Sequence, residues 1–334
     1  MNRTVIGYFE EKNPGFSEKP SFSEMQKTPR HKARLSLQAT GDSPYYAILK
    51  WSRWSCNSTE PARMEQLAIN EMTTYRWSFE EDVRNYSKAG IKGIGIWRQK
   101  LSDFGEDKGA ELLGDCGLSV SSLLWAGGFT GSDGRSYKES IEDARAAIEL
   151  ASTLKANCLV VYTGGRGGHT HKHARRLIAT ALGEIAAIAA DFNTILALEP
   201  MHIGCAADWT FLTSLEDSIE LLNSIDNAQL KLVFDAYHLG LDPNAIKLIP
   251  EIAQRVALVQ LGDAKSPPKG EQNRCRLGDG VIPLAQIVQA FLQSGYEDFF
   301  EVELMGEDVE GCDCDSLLEH SKRSFTEITN TINV

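Results

Sequence analysis

From residue 67 to the C-terminal end the sequence repeats one pattern eight times. A short apolar run rich in Val, Ile and Leu is followed by a longer segment whose apolar residues recur at helical spacing. The runs fall at 67–73, 91–97, 118–125, 158–162, 194–199, 230–235, 256–261 and 299–303. The helical segments fall at 78–90, 108–116, 136–154, 173–192, 215–225, 244–255, 284–294 and 315–332. Their ends are marked as well. Ser78 stands three residues before Glu81, the spacing of a capping box, and Gly90, Gly117 and Gly295 follow helices as stops. Strands that alternate with helices require a parallel sheet, because a parallel pair can be joined only by a long crossover. Eight such units in about 270 residues predict an α/β fold closed into a (β/α)8 barrel. An open doubly wound sheet would carry a glycine-rich phosphate turn after its first strand. Here that position reads Asn70-Glu-Met-Thr-Thr74.

A barrel gathers the C-terminal ends of its strands at one mouth, and in this chain those ends are polar. Leu196-Ala-Leu-Glu199-Pro-Met-His202 runs from an apolar strand straight into a carboxylate. A buried carboxylate is costly unless it is paired or bound to a cation, so Glu199 needs a partner. Asp235 ends the next strand, within Phe234-Asp-Ala-Tyr-His238. The seventh run carries Gln260 and then Asp263; the eighth carries Glu301 and Glu303. Glu199, Asp235, Gln260 and Glu303 are thus oxygen donors on four neighbouring strands. Such a set predicts one divalent metal ion, with Mn²⁺ or Mg²⁺ ahead of Co²⁺ or Zn²⁺.

The segments LALEPMH, FDAYHLGLDP, VQLGDA, Arg274-Cys-Arg-Leu-Gly-Asp-Gly280 and GYEDFFEVELMG resemble the xylose isomerase-like TIM-barrel superfamily over residues 64–332. That superfamily holds sugar isomerases and epimerases, inosose dehydratases and endonuclease IV-type proteins. The resemblance implies metal ligation by Glu199, Asp235, Glu303 and the strand-seven position. Many members have histidine at that last place; this chain has Gln260. A glutamine carbonyl still ligates, but the change counts against zinc.

The activity implied is that of a metal-dependent ketose isomerase or epimerase acting on a small sugar or polyol. The substrate would chelate the metal through its carbonyl and a neighbouring hydroxyl, and a proton would move through an enediolate. Glu199 and Glu303 are the expected proton carriers. An inosose dehydratase-type lyase would share the first step, and a non-catalytic binding protein could use the same scaffold. Glu303 is preferred to Glu301 because it lies eight residues after Gly295, the usual spacing of the superfamily. Glu301 points to the same face by period two and is expected to support it.

Substrate contacts are expected from His238, in a D-x-x-H pattern, from His202, in an E-P-x-H pattern, and from Arg274, with Arg276 as its competitor. Asp263 is placed with them, orienting the arginine or its loop. Glu71, Trp97 and Trp125 are expected at the mouth. An endonuclease of this kind would need further histidines on strands two and three, where the chain has Trp97-Arg98 and Trp125-Ala126.

Charge supports that exclusion. The net charge of −12 disfavours a nucleic-acid partner, and no apolar run reaches the roughly 18 residues of a membrane helix. Seven scattered cysteines argue against a disulfide framework and for a cytoplasmic location. Residues 1–63 differ in character: ten Lys/Arg against six Asp/Glu, many Ser and Pro, and little periodicity. They read as a poorly patterned N-terminal extension ahead of a barrel domain at 64–334. Such an extension is a loosely packed tail, a start placed upstream of Met64, or an arm that packs on a second copy through Tyr45, Tyr46, Trp51 and Trp54. The last reading makes the chain a homo-oligomer. The glycine- and histidine-rich stretch 163–173 is read as a strand-four loop, with anion binding or metal binding by His169, His171 and His173 as minor alternatives.

Overall fold

The structure, a computed structural model, describes residues 63–330. The N-terminal extension and its four aromatic residues lie outside the described residues. The described chain runs β1 (Leu67–Asn70), α1 (Phe79–Lys88), β2 (Gly93–Trp97), α2 (Arg98–Phe104), α3 (Glu106–Cys116), β3 (Ser119–Gly127), α4 (Tyr137–Thr153), β4 (Leu159–Tyr162) and α5 (His171–Asp191). It continues β5 (Leu196–Leu198), α6 (Leu215–Ile225), β6 (Leu230–Asp235), α7 (Ala236–Leu239), α8 (Pro243–Ile252), β7 (Val256–Leu261), α9 (Leu284–Gln293), β8 (Phe300–Val302), α10 (Glu307–Glu310) and α11 (Cys314–Asn330). All eight strands pair in sequence order, each parallel to the next, and β8 closes on β1. The expected (β/α)8 TIM barrel is the fold found.

Local chemistry explains most boundaries. Ser78 caps α1 and Ser136 caps α4, each in a reciprocal box with the glutamate three residues on. Gly117 ends α3 in the left-handed conformation. Outward-facing strand residues pack on the helix layer: Phe234 on Phe291 at 5.1 Å and Phe300 on Phe325 at 5.8 Å between ring centroids. No helix among the described residues is long and apolar enough to cross a membrane.

Three short helices, α2, α7 and α10, were not legible as periodic segments. Each spans seven residues or fewer, too few for a hydrophobic period to register. Strand one is shorter than its apolar run, because Asn70 turns its side-chain oxygen back to the Met72 N–H at 2.9 Å and ends the extension.

The inside of the barrel is not wholly apolar. Glu301 is fully buried and level with Gln260 in the β7–β8 register. One carboxylate oxygen accepts from Ser121 Oγ at 2.6 Å and Ser122 Oγ at 2.7 Å. The other accepts from Asn70 Nδ2 at 2.7 Å and Gln260 Nε2 at 3.3 Å. Four donors from three strands thus hold a carboxyl group that would otherwise be costly to bury. Gly95 makes the room, since a Cβ there would lie 2.5 Å from the Glu301 carboxylate. Gly95→Ala is therefore expected to lower stability by about 1–3 kcal/mol through overpacking, read as a fall in the urea midpoint. An unchanged midpoint would show that the Glu301 cradle is looser than described.

Candidate metal centre

Above Glu301, towards the C-terminal ends of the strands, the polar residues converge. Asp235 and Gln260 are register partners across β6 and β7, so their side chains share the inward face. Glu199 follows β5 directly, its N–H donating to Val161 O at 3.0 Å. Glu303 follows β8, its N–H donating to Leu261 O at 3.0 Å. All four are buried. Asp235 also starts α7, where Oδ1 accepts from the Tyr237 N–H at 2.8 Å. That single helical turn carries His238 back over the cluster.

Glu199, Asp235 and His238 bring one potential ligand atom each within 4.8 Å of the others. His238 Nε2 lies 3.8 Å from Glu199 Oε1 and 3.8 Å from Asp235 Oδ2. Among the described residues, three buried atoms of the centre have no hydrogen-bond partner: His238 Nε2, Gln260 Oε1 and the donor Arg274 Nε. The Gln260 amide nitrogen is already tied to Glu301, which fixes its carbonyl as the free end. A buried acceptor without a donor is expensive, and a cation satisfies it. This donor set therefore fits a divalent ion.

Arg274 supplies the fixed positive charge. Its Nη2 lies 2.8 Å from Asp235 Oδ2 and 3.4 Å from Glu303 Oε2. It also donates to Gln272 Oε1 at 2.8 Å, and its guanidinium lies over the Tyr237 ring at 4.7 Å. Gly262 lets it approach, because a Cβ there would meet Arg274 atoms at 3.0 Å. One guanidinium does not neutralise four acids. Burial, reinforced by the charges of Glu303 and Asp235, lifts the Glu199 carboxyl well above its ordinary range. Burial also pushes Glu303 up to about 7, although Arg274 opposes it. Burial takes His238 down to about 3, with Asp235 pulling the other way, so its ring is neutral. Added positive charge at this point would relieve the carboxylates.

The structure brings Glu199, Asp235, His238, Gln260, Glu303 and Arg274 together. Glu303 is turned towards Arg274, and His238 stands inside the carboxylate cluster. His202 lies on the β5 loop, where Nδ1 accepts from the Gly204 N–H at 3.0 Å. Trp97 closes β2 on the same face as Gly95 by period two.

Arg276 and Glu71 do not take their expected places, and Asp263 takes only one of its expected roles. Arg276 is exposed and paired with Asp279 at 2.8 Å, so Arg274 alone is the arginine of the centre. Asp263 is buried, but its two oxygens accept the N–H groups of Ala264, Gly278, Gly280 and Ile282 at 2.8 to 3.1 Å. It shapes the loop, as expected, but has no free oxygen for a substrate. Glu71 faces away from the mouth. Asn70 points inward to Glu301, and period two sends the next residue outward. There Glu71 Oε2 accepts from the Trp97 N–H at 2.7 Å. Its neighbours are Lys100 and Asp82, which meet at 2.6 Å.

The glycine-rich loop is also committed elsewhere: Gly164 and Gly165 donate their N–H groups to Trp209 O and Asp208 O. The histidines of that loop form no ligand cluster, since among the described residues only Glu199, Asp235 and His238 do. Residues not anticipated include Asn70, Ser121 and Ser122, which bind Glu301. An aromatic wall was also missed in part: Trp209 lies 5.2 Å from Trp125 and 5.5 Å from Tyr162 between ring centroids. Asn70, β3, Tyr162 and Trp209 are brought together only by the closed sheet and the β5 loop, so no local spacing marks the set.

Comparison with known proteins places the fold. The family model described as xylose isomerase-like TIM barrel matches residues 83–324. No curated protein sequence matches the chain. Among solved structures, a protein of Sinorhizobium meliloti 1021 is similar at 27% identity and TM-score 0.69, covering 80% of this chain and 96% of its own. The IolI protein, solved with a binding zinc atom, is similar at 20% identity and TM-score 0.70, covering 80% and 99%. An L-ribulose 3-epimerase is similar at 18% identity and TM-score 0.68, covering 80% and 95%.

Proposed function

Because the chain belongs to the xylose isomerase-like TIM-barrel family, we propose that it is a divalent-metal-dependent isomerase or epimerase of a small ketose. The observation that carries this reading is the convergence of Glu199, Asp235, Gln260 Oε1 and Glu303 on one buried mouth. The zinc of the IolI protein and the reaction named for the epimerase neighbour support it. Glu199, Asp235, Gln260 and Glu303 would hold Mn²⁺ or Mg²⁺. A divalent ion bound there supplies Lewis-acid polarisation of a substrate carbonyl.

The chain's own residues do the rest. Glu303, held beside Arg274 at the end of β8, takes the proton α to the carbonyl. Glu199, buried at the end of β5, returns a proton. Arg274 holds Glu303 in place and limits the charge of the cluster. The half-buried aromatic wall of Trp125, Tyr162 and Trp209 offers an apolar face for the sugar carbons.

Two measurements test this. Mn²⁺ at 100 times its dissociation constant should raise stability by about 2.7 kcal/mol, seen as an upward shift of the thermal midpoint. With Mn²⁺ present, a panel of ketoses in deuterium oxide should show exchange at one carbon. Absence of both metal stabilisation and exchange would defeat the proposal. An enone-type absorbance with loss of water would assign a dehydratase instead.

A further inference from the structure

Cys205 lies on the loop after β5, buried beside the centre, and the reaction above gives it no task. Its Sγ is 3.5 Å from the carbonyl oxygen of His202 and 3.6 Å from Nδ1 of His238. A thiol has one proton, and a carbonyl oxygen can only accept. The S–H therefore points to His202 O, and a sulfur lone pair is left facing the imidazole. That contact is attractive only when His238 carries its ring proton on Nδ1. Nε2 is then a bare lone pair.

The other side of the ring agrees with this assignment. Nε2 is buried with no hydrogen-bond partner. It faces Glu199 Oε1 and Asp235 Oδ2, both acceptors, each at 3.8 Å. A proton on Nε2 would have found a carboxylate at hydrogen-bonding distance. The two separations lie within the roughly 4.2 Å that two donors can span when each is about 2.1 Å from a shared ion.

We propose that Cys205 fixes the tautomer of His238 and so makes Nε2 a nitrogen ligand of the metal centre. This rests on the metal reading above and changes its chemistry. Gln260 leaves the strand-borne donor set all oxygen, and His238 returns one nitrogen to it from α7. Cys205 acts through His238 and is a positioning residue. It also couples the β5 loop, through the His202 carbonyl, to the affinity of the centre.

The test is pulsed electron paramagnetic resonance on the full chain loaded with Mn²⁺ alone. Wild type should show ¹⁴N modulation from a ligated imidazole, and His238→Gln should lose it. Cys205→Ala should bind Mn²⁺ with a dissociation constant about 10–100-fold larger, the usual effect of losing the partner of a ligating histidine. Cys205→Ser keeps one proton and an acceptor lone pair, so it should recover most of that loss. Circular dichroism of each variant checks that the barrel is intact. Bound Mn²⁺ without ¹⁴N modulation in wild type would overturn this proposal and leave the metal reading standing; Nε2 would then be free to accept a substrate hydroxyl. Failure to bind Mn²⁺ at all would overturn both. Equal affinities in wild type and Cys205→Ala would remove Cys205 from its role.

Discussion

Glu303→Gln is expected to lower deuterium exchange into the substrate by roughly 10²–10⁴-fold, the usual worth of a positioned acid–base group. The substitution is nearly isosteric. The Glu303 N–H still donates to Leu261 O, and its carbonyl still accepts from Arg274 Nη1 at 3.4 Å, so the end of β8 keeps its place. What is lost is a group that can hold and release a proton. The glutamine carbonyl remains able to ligate, so exchange is to be measured at saturating Mn²⁺, separating lost metal from lost chemistry. Glu199→Gln should fall in the same range if the two glutamates face each other across the substrate. Full exchange by Glu303→Gln at saturating metal would mean that the proton moves elsewhere.

Lys100→Met should destabilise the fold by about 3–5 kcal/mol at neutral pH, the cost of stranding a buried charge. Asp82 is fully buried, and its carboxylate meets Lys100 Nζ at 2.6 Å. The same ammonium donates to Glu71 O at 3.3 Å and Thr74 O at 3.1 Å. It thereby ties α2 to the turn after β1. Methionine fills similar volume but returns none of these bonds. The effect should depend on pH, with a sign fixed by Asp82. Burial pushes that carboxyl up to about 6, against the pull of Lys100. An acid whose folded value lies above its unfolded value, near ~3.9, binds more protons when folded. Its contribution to stability therefore falls as pH rises through that window. Removing Lys100 raises the folded value further and extends the loss to higher pH. Urea midpoints should thus differ more between wild type and Lys100→Met at pH 8 than at pH 5. An equal difference at both would show that Asp82 is not the stranded group.

The two predictions concern groups of unequal legibility. Glu303 stood out in the sequence because a strand pattern ended in a carboxylate beside three other polar strand ends. Lys100 and Asp82 did not, since each sits on a helix with nothing in its spacing to mark it. Their pairing exists only because β1 and β2 are neighbours and α1 and α2 lie over the same edge. Glu71 shows the same limit from the other side. It was expected at the mouth as part of the first apolar run, yet it follows the inward Asn70 and turns the other way, to the Trp97 N–H. Arg276 was misplaced, and the substrate contact expected of Asp263 was not found, for a related reason. Both lie on the long β7–α9 connection, whose path no period describes.

By itself, the sequence determined the order of strands and helices, and with it a barrel of eight parallel strands. Alternating apolar periods leave the backbone few other ways to satisfy its hydrogen bonds. It also placed Glu199, Asp235, Gln260 and Glu303 at strand ends that share one mouth. The tertiary structure alone decided which side-chain atoms face one another. It tied the Gln260 amide to Glu301, carried His238 into the carboxylates on a single helical turn and set Cys205 behind it. Such contacts depend on the closure and stagger of the barrel, and those are properties of all eight strands at once.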